Sequence, residues 1–140
     1  MTTPQLYQHA ESVEQILIAY LSPQRRTAVA RLVDDPLPFT IVHHITGIED
    51  PQVGTADPVV SVQVLSDKAL GWDLAEANAQ QTHDALLYLA RNLDTGPTSG
   101  YGSIDYIKVV EAPIWVEYED TQILRKVGRY RIGLSYVPAV

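Results

Sequence analysis

Four histidines, His9, His43, His44 and His83, are the side chains of this sequence best suited to proton or metal chemistry near neutral pH. A metal site needs ligands that converge. His43 and His44 are adjacent in an alternating run, so on a strand they point to opposite faces. His9 and His83 fall in separate helical patterns, and neither belongs to an HExxH motif or another ligand spacing. His83-Asp84 invites a catalytic dyad, but successive residues on a helix diverge and no Gly-x-Ser-x-Gly elbow supplies a nucleophile. Gly96, Gly100 and Gly102 lie between a helix and a strand, the wrong context for a dinucleotide fingerprint or a P-loop. Thr95 to Gly102 reads as a flexible connector. Cysteine is absent, which removes disulfides, thiolate metal sites and a cysteine nucleophile, and suits a reducing compartment. The histidines therefore read as packed or surface residues, with no catalytic group, metal or cofactor expected. The surviving enzymatic alternative is a small-ligand enzyme using His43 or His83 beside a carboxylate in a pocket.

The charged and aromatic residues near the C-terminus carry more information. Over the last strand-like run, Arg125, Val127, Arg129 and Arg131 share one face, while Tyr130, Ile132, Leu134 and Tyr136 share the other, core-like face. On the run before it, Trp115, Glu117 and Glu119 share a face. A tight turn at Asp120-Thr121 sets Glu117 opposite Arg125 and Trp115 opposite Val127. Such a face is either a solvated surface held by cross-strand ion pairs, each contributing about 0.2–1 kcal/mol, or a subunit contact anchored by the tryptophan. A second candidate is the segment 47–58, a turn-rich loop carrying Glu49, Asp50 and Asp57 and no basic residue, on a long hairpin.

These residues need elements to hold them. Thr3-Pro4 opens an amphipathic helix of about 18 residues in which Leu6, His9, Val13, Ile16, Leu17 and Tyr20 recur at helical spacing, closed by Ser22-Pro23. A short second helix is expected around Arg25, Arg26 and Arg31. After Asp35-Pro36-Leu37-Pro38 the period becomes two: Phe39–Ile45 is a strand, and Val59–Leu65 is its hairpin partner with Val60, Val62 and Val64 on one face. A long helix follows from about Asp67 to Leu93, striped by Trp72, Ala75, Ala79, His83, Leu86, Leu87 and Ala90 and stopped at Gly96-Pro97. Three strands close the chain: 104–110, 114–119 across Pro113, and 123–137. The order α-β-β-α-β-β-β predicts an α+β fold, a mostly antiparallel sheet with two main helices on one face.

Composition agrees with one domain spanning residues 1–140. The chain is 46% apolar with a net charge of −7, and its mean hydropathy is −0.05; a domain of this size buries about two-thirds of its surface. That excludes disorder for most of the chain, and no apolar run reaches the roughly 18 residues of a membrane span. Met1-Thr2-Thr3-Pro4 has no basic segment leading into an apolar run, so no secretory signal is expected. An acidic domain is poorly suited to general nucleic-acid binding, which needs a basic surface.

Five segments then bring a family into view: Val13-Glu14-Gln15-Ile16-Leu17, Leu37-Pro38-Phe39-Thr40-Ile41-Val42, Asp57-Pro58-Val59-Val60-Ser61-Val62-Gln63-Val64, the block Ile104 to Trp115, and Arg129-Tyr130-Arg131-Ile132. In order and texture they resemble the tail terminator proteins of long-tailed, non-contractile phages, especially those of actinobacterial hosts. The resemblance covers nearly the whole chain and implies a non-enzymatic assembly protein of the virion neck, assembled in the host cytoplasm. It implies a homo-oligomer, a hexameric ring at the head-proximal end of the tail tube that stops tube growth and meets the head–tail connector protein. DNA would cross its acidic bore without specific binding. Head–tail connector stoppers and adaptors share the size and acidity, and are the alternative. A ring needs two different patches on each copy. Trp115, Glu117, Arg125, Arg129 and Arg131 are the expected subunit or ring interface, and Glu49, Asp50 and Asp57 the acidic hairpin facing the bore, an adjacent ring or a neighbouring subunit's arginines.

Overall fold

The computed structural model describes residues 7–9, 12–93 and 104–138. Its elements are β1 (Tyr7–His9), α1 (Val13–Leu21), β2 (Thr27–Ala28), β3 (Phe39–Asp50), β4 (Thr55–Asp67), a 3-10 turn (Lys68–Leu70), α2 (Trp72–Arg91), β5 (Ile104–Trp115) and β6 (Ile123–Pro138). The strands form one sheet in the order β1-β6-β4-β3-β2, with β5 also paired to β6. Only the short β2–β3 contact is parallel. The α+β class and the mostly antiparallel sheet are as the sequence predicts. No helix among the described residues is long and apolar enough to cross a membrane.

Both helices pack on one face of the sheet. Val13, Ile16, Leu17 and Leu21 of α1 join Leu86 and Leu89 of α2 over Val42, Val60, Val62, Tyr130, Ile132 and Leu134. Cross-strand partners explain the alignment: Val42 faces Val62, and Val60 faces Tyr130, so the alternate residues of three strands meet beneath the helices. Among the described residues no helix covers the opposite face. It carries a smaller apolar cluster of Phe39, Leu65 and Ile123, with Tyr118 and Leu37 against it.

The helices begin later than their hydrophobic periodicity suggests. α1 starts at Ser12, whose hydroxyl accepts from the Gln15 amide at 3.3 Å, half of a Ser-x-x-Gln capping box. The expected helix from Thr3 is thus shortened, and its residues 7–9 are instead a strand against Val137 and its neighbours. Thr3-Pro4 itself, the Gly96-Pro97 stop and the 95–102 connector lie outside the described residues. The 3-10 turn before α2 is capped by Asp67, which accepts from the Ala69 amide at 2.9 Å. Along α2 the buried residues are Ala75, Ala79, Thr82, Leu86 and Leu89, alternating four- and three-residue steps.

The expected second helix around residues 25–32 is absent, and the two-residue β2 takes its place. The Arg25 guanidinium explains it. It donates to Thr82, to the Asn78 carbonyl at 3.2 Å and to Gln81 Oε1 at 2.5 Å, which pins this segment to α2 in an extended path. Burial lowers the Arg25 pKa, and neutral oxygens on α2 accept from the charge.

Candidate interaction surface

The predicted site residues do not all share one face of the sheet. On β6 the alternation is as expected: Tyr130, Ile132 and Leu134 are buried, while Arg129 and Arg131 are exposed. The neighbouring strand is one residue out of the expected register. Trp115 pairs with Lys126 and Ile114 with Val127, and the Val116 amide donates to the Arg125 carbonyl at 3.0 Å. A shift of one residue turns every side chain over. Trp115 therefore does not share the arginine face. It lies on the helix side, edge-on to Trp72 with ring centroids 4.9 Å apart and beneath Lys126 Nζ at 5.1 Å. Lys126 in turn bonds Glu76 of α2 at 2.7 Å. The tryptophan pair closes one end of the sheet against α2 and borders a groove of about 400 Å³.

The slip is already set in the connection between Trp115 and Ile123, and β5 shifts register again further from it. Pro113 does not divide two strands; the strand runs through it with irregularities between Ile104 and Tyr106, Val109 and Glu111, and Glu111 and Ile114. Bulges of this kind insert residues and reset the facing pattern.

Arg125 is committed within the subunit. Its guanidinium donates to Gln63 Oε1 at 3.3 Å and to the Glu117 carbonyl at 2.5 Å, and it sits 5.3 Å from the Tyr118 ring centroid. Glu117 meets Arg125 through its backbone, and its residue is exposed. Arg129 and Arg131 are exposed residues. Arg131 lies opposite Lys108, and Arg129 opposite Glu111. Lys108, not singled out from the sequence, extends the basic strip onto β5; the register shifts hid its facing.

Residues 47–58 are not a loop. β3 and β4 continue to Asp50 and Thr55 around a short turn, closed by the Gly54 amide donating to the Asp50 carbonyl at 2.8 Å. Glu49 and Asp50 are exposed at the end of β3. Asp50 also shapes the turn by accepting from the Gln52 and Val53 amides at 3.1 and 3.2 Å. Asp57 is drawn inward and accepts the Tyr106 hydroxyl, which raises the Tyr106 pKa. The acidic set is thus divided, with Glu49 and Asp50 outward and Asp57 on the sheet.

The histidines do not converge. His43 is exposed with Nδ1 3.8 Å from Glu14 Oε2, and the His44 amide donates to the same carboxylate oxygen at 3.1 Å. His83 places Nδ1 2.7 Å from the Tyr130 hydroxyl, beside a cavity of about 300 Å³ that Lys126 and Pro113 also line. His9 lies on β1 rather than on a helix. Among the described residues no group of three or more acidic or histidine side chains is placed to hold a metal ion.

No protein-family model and no curated protein matches the chain. Among solved structures, the chain is similar to one from the virion of a native gene transfer agent (GTA) particle, with a TM-score of 0.52 and 16% identity over 90% of this chain and 89% of that one. At that identity the likeness establishes a shared fold across nearly the full length of both chains.

Proposed function

We propose that this chain is a structural protein of a phage-type virion, a tail terminator that forms a six-fold ring at the head-proximal end of the tail tube, ends tube growth and joins the tail to the head connector. The observation that carries the reading is the fold shared over 90% of this chain with a chain of the GTA virion, taken with the order and texture of the five segments described above. The surface supports it. One sheet face is left bare by the helices, its basic strip of Lys108, Arg129 and Arg131 lies toward β5, and the exposed acids Glu49 and Asp50 lie on β3. A ring joins such unlike patches head to tail.

Negative-stain microscopy of the purified protein, alone and mixed with tail tubes, tests this reading. The expected result is a ring of constant diameter that caps one end of each tube and halts its elongation. Tubes that stay uncapped and keep growing in the presence of excess protein overturn it.

A further inference from the structure

We propose that the loop 29–35 of one copy docks into the tryptophan groove of the next, seating Leu32 and Val33 against Trp72 and Trp115. This rests on the ring reading above and names its contact. Loop and groove lie at the two ends of one rung of the sheet. Thr27 pairs with Thr40, Thr40 with Val64, Val64 with Lys126, and Lys126 with Trp115. A line across the strands therefore runs from β2 at one edge to β5 at the other. The loop leaves β2 and returns to the start of β3, which keeps it at the first edge. The groove lies at the second, between the end of β5, the start of β6 and the turn that leads into α2. A copy placed beside the first by rotation about an axis near the strand direction keeps both patches at one height and sets them against each other.

The loop is built to present its tip. Asp35 Oδ2 accepts from the Leu32 amide at 2.8 Å, and the Asp35 amide donates back to the Leu32 carbonyl at 3.0 Å. Arg31 donates to the Asp35 carbonyl, and the Arg26 guanidinium lies 3.4 Å from the Asp35 carboxylate. These bonds hold the backbone yet leave Leu32 and Val33 74% and 90% exposed. An apolar pair on an ordered loop gives up little further freedom when it meets a partner, which lowers the cost of binding. The groove is its counterpart. It encloses about 400 Å³, room for both aliphatic side chains. Its two tryptophans are 53% and 38% exposed, and large rigid rings of this kind anchor interfaces. Charge favours the same union. Asp34 is exposed at the tip of the loop, and the groove is lined by two cations, Lys68 and Arg125, and one acid, Glu117. The two patches differ and lie at opposite edges of the subunit, the condition for a heterologous contact that closes on itself.

Two variants remove the contact from either side: Leu32→Asp with Val33→Asp on the loop, and Trp72→Asp in the groove. Circular dichroism checks that each is folded. Negative-stain microscopy, with and without tail tubes, is expected to show the loss of rings in both. Wild-type rings made by either folded variant overturn the loop contact and leave the ring reading intact. Free rings that no longer cap tubes assign the surface to the tube protein and likewise overturn the contact. A wild-type chain that never assembles, alone or on tubes, overturns both readings. The chain lacks cysteine, so crosslinking gives a second measurement if Trp72→Asp unfolds it. Val33→Cys chains oxidised together with Val116→Cys chains are expected to give a species of twice the 15.5 kDa chain mass that is mostly heterodimer. A chain bearing both cysteines is expected to give a ladder of multiples of that mass. Homodimers in excess, or no crosslink where the wild type assembles, overturn the pairing.

Discussion

His83 and Tyr130 meet where α2 crosses β6, and their contact ties a titratable ring to a side chain only 1% exposed. Burial lowers the His83 pKa; Asp84 opposes that shift and Lys126 adds to it. Burial also raises the Tyr130 pKa, so the hydroxyl keeps its proton while it shares a hydrogen bond with the imidazole Nδ1. The native state thus binds the His83 proton less readily than the unfolded chain does. Stability from this residue is complete above the unfolded histidine pKa of about 6.5 and is lost as the pH falls below it, because the unfolded state then holds more protons. In urea titrations from about pH 7.5 to 5, the wild type is expected to lose stability more steeply than His83→Gln. Equal slopes would show that the ring is not held neutral by the fold. Tyr130→Phe is expected to cost about 1 kcal/mol at neutral pH through the lost hydrogen bond and, since burial and not this bond lowers the His83 pKa, to leave the slope in place.

At the scale of elements, β5 is fitted to β6 through a glycine. A Cβ on Gly133 would run into the Tyr106 ring, which crosses that position to reach Asp57. Gly133→Ala is therefore expected to cost about 1–3 kcal/mol by overpacking. Adding Tyr106→Ala should cancel much of that cost in a double-mutant cycle, and additive costs would deny the contact. This arrangement was hard to read from sequence, because it depends on which residue of an irregular strand faces Gly133. The regular elements were legible: Val60, Val62 and Val64 alternate and are buried as their spacing requires, and the β6 arginines and core residues fall on opposite faces as expected. What failed was punctuation. Pro113 looked like a strand break and is absorbed by a bulge. Gly47 and Pro58 looked like loop residues. They are instead a matched pair, since a Cβ on Gly47 would lie 2.5 Å from the Pro58 Cα; Pro58, lacking an amide proton, falls where the β4–β6 register skips between Ala56 and Val59. Ser12 was a better helix start than Thr3 because pairing with β6 claims residues 7–9. In each case a contact distant in sequence overrode a local signal. The interface residues suffered most, since one register slip moved Trp115 off the arginine face.

For the whole molecule, the basic strip bears on folding and on assembly, and Lys108 Nζ also lies 5.1 Å from the Tyr106 ring centroid. The chain carries a net charge of −7, yet it sets Lys108 directly opposite Arg131 on neighbouring strands, and like charges so placed are destabilising. Arg129 is different, with Glu111 across from it. The two arginines therefore separate a folding role from an assembly role. Arg131→Glu gives Lys108 an opposite charge and is expected to raise the stability of the dilute subunit by about 0.2–1 kcal/mol; Asp57, the nearest acid further along β4, already holds the Tyr106 hydroxyl. Arg129→Glu sets two carboxylates face to face and is expected to lower that stability by a similar amount. If the strip exists to meet the acidic end of a neighbouring subunit, both substitutions weaken assembly despite their opposite effects on folding. Added salt should weaken wild-type assembly in the same direction, because exposed charges are screened within about 10 Å at 0.1 M. Urea midpoints below the assembly concentration report the first quantity, and size-exclusion profiles above it report the second. Rings that survive both substitutions unchanged would remove Arg129 and Arg131 from the interface. Assembly that tracked subunit stability, stronger for Arg131→Glu and weaker for Arg129→Glu, would reduce the strip to a matter of folding.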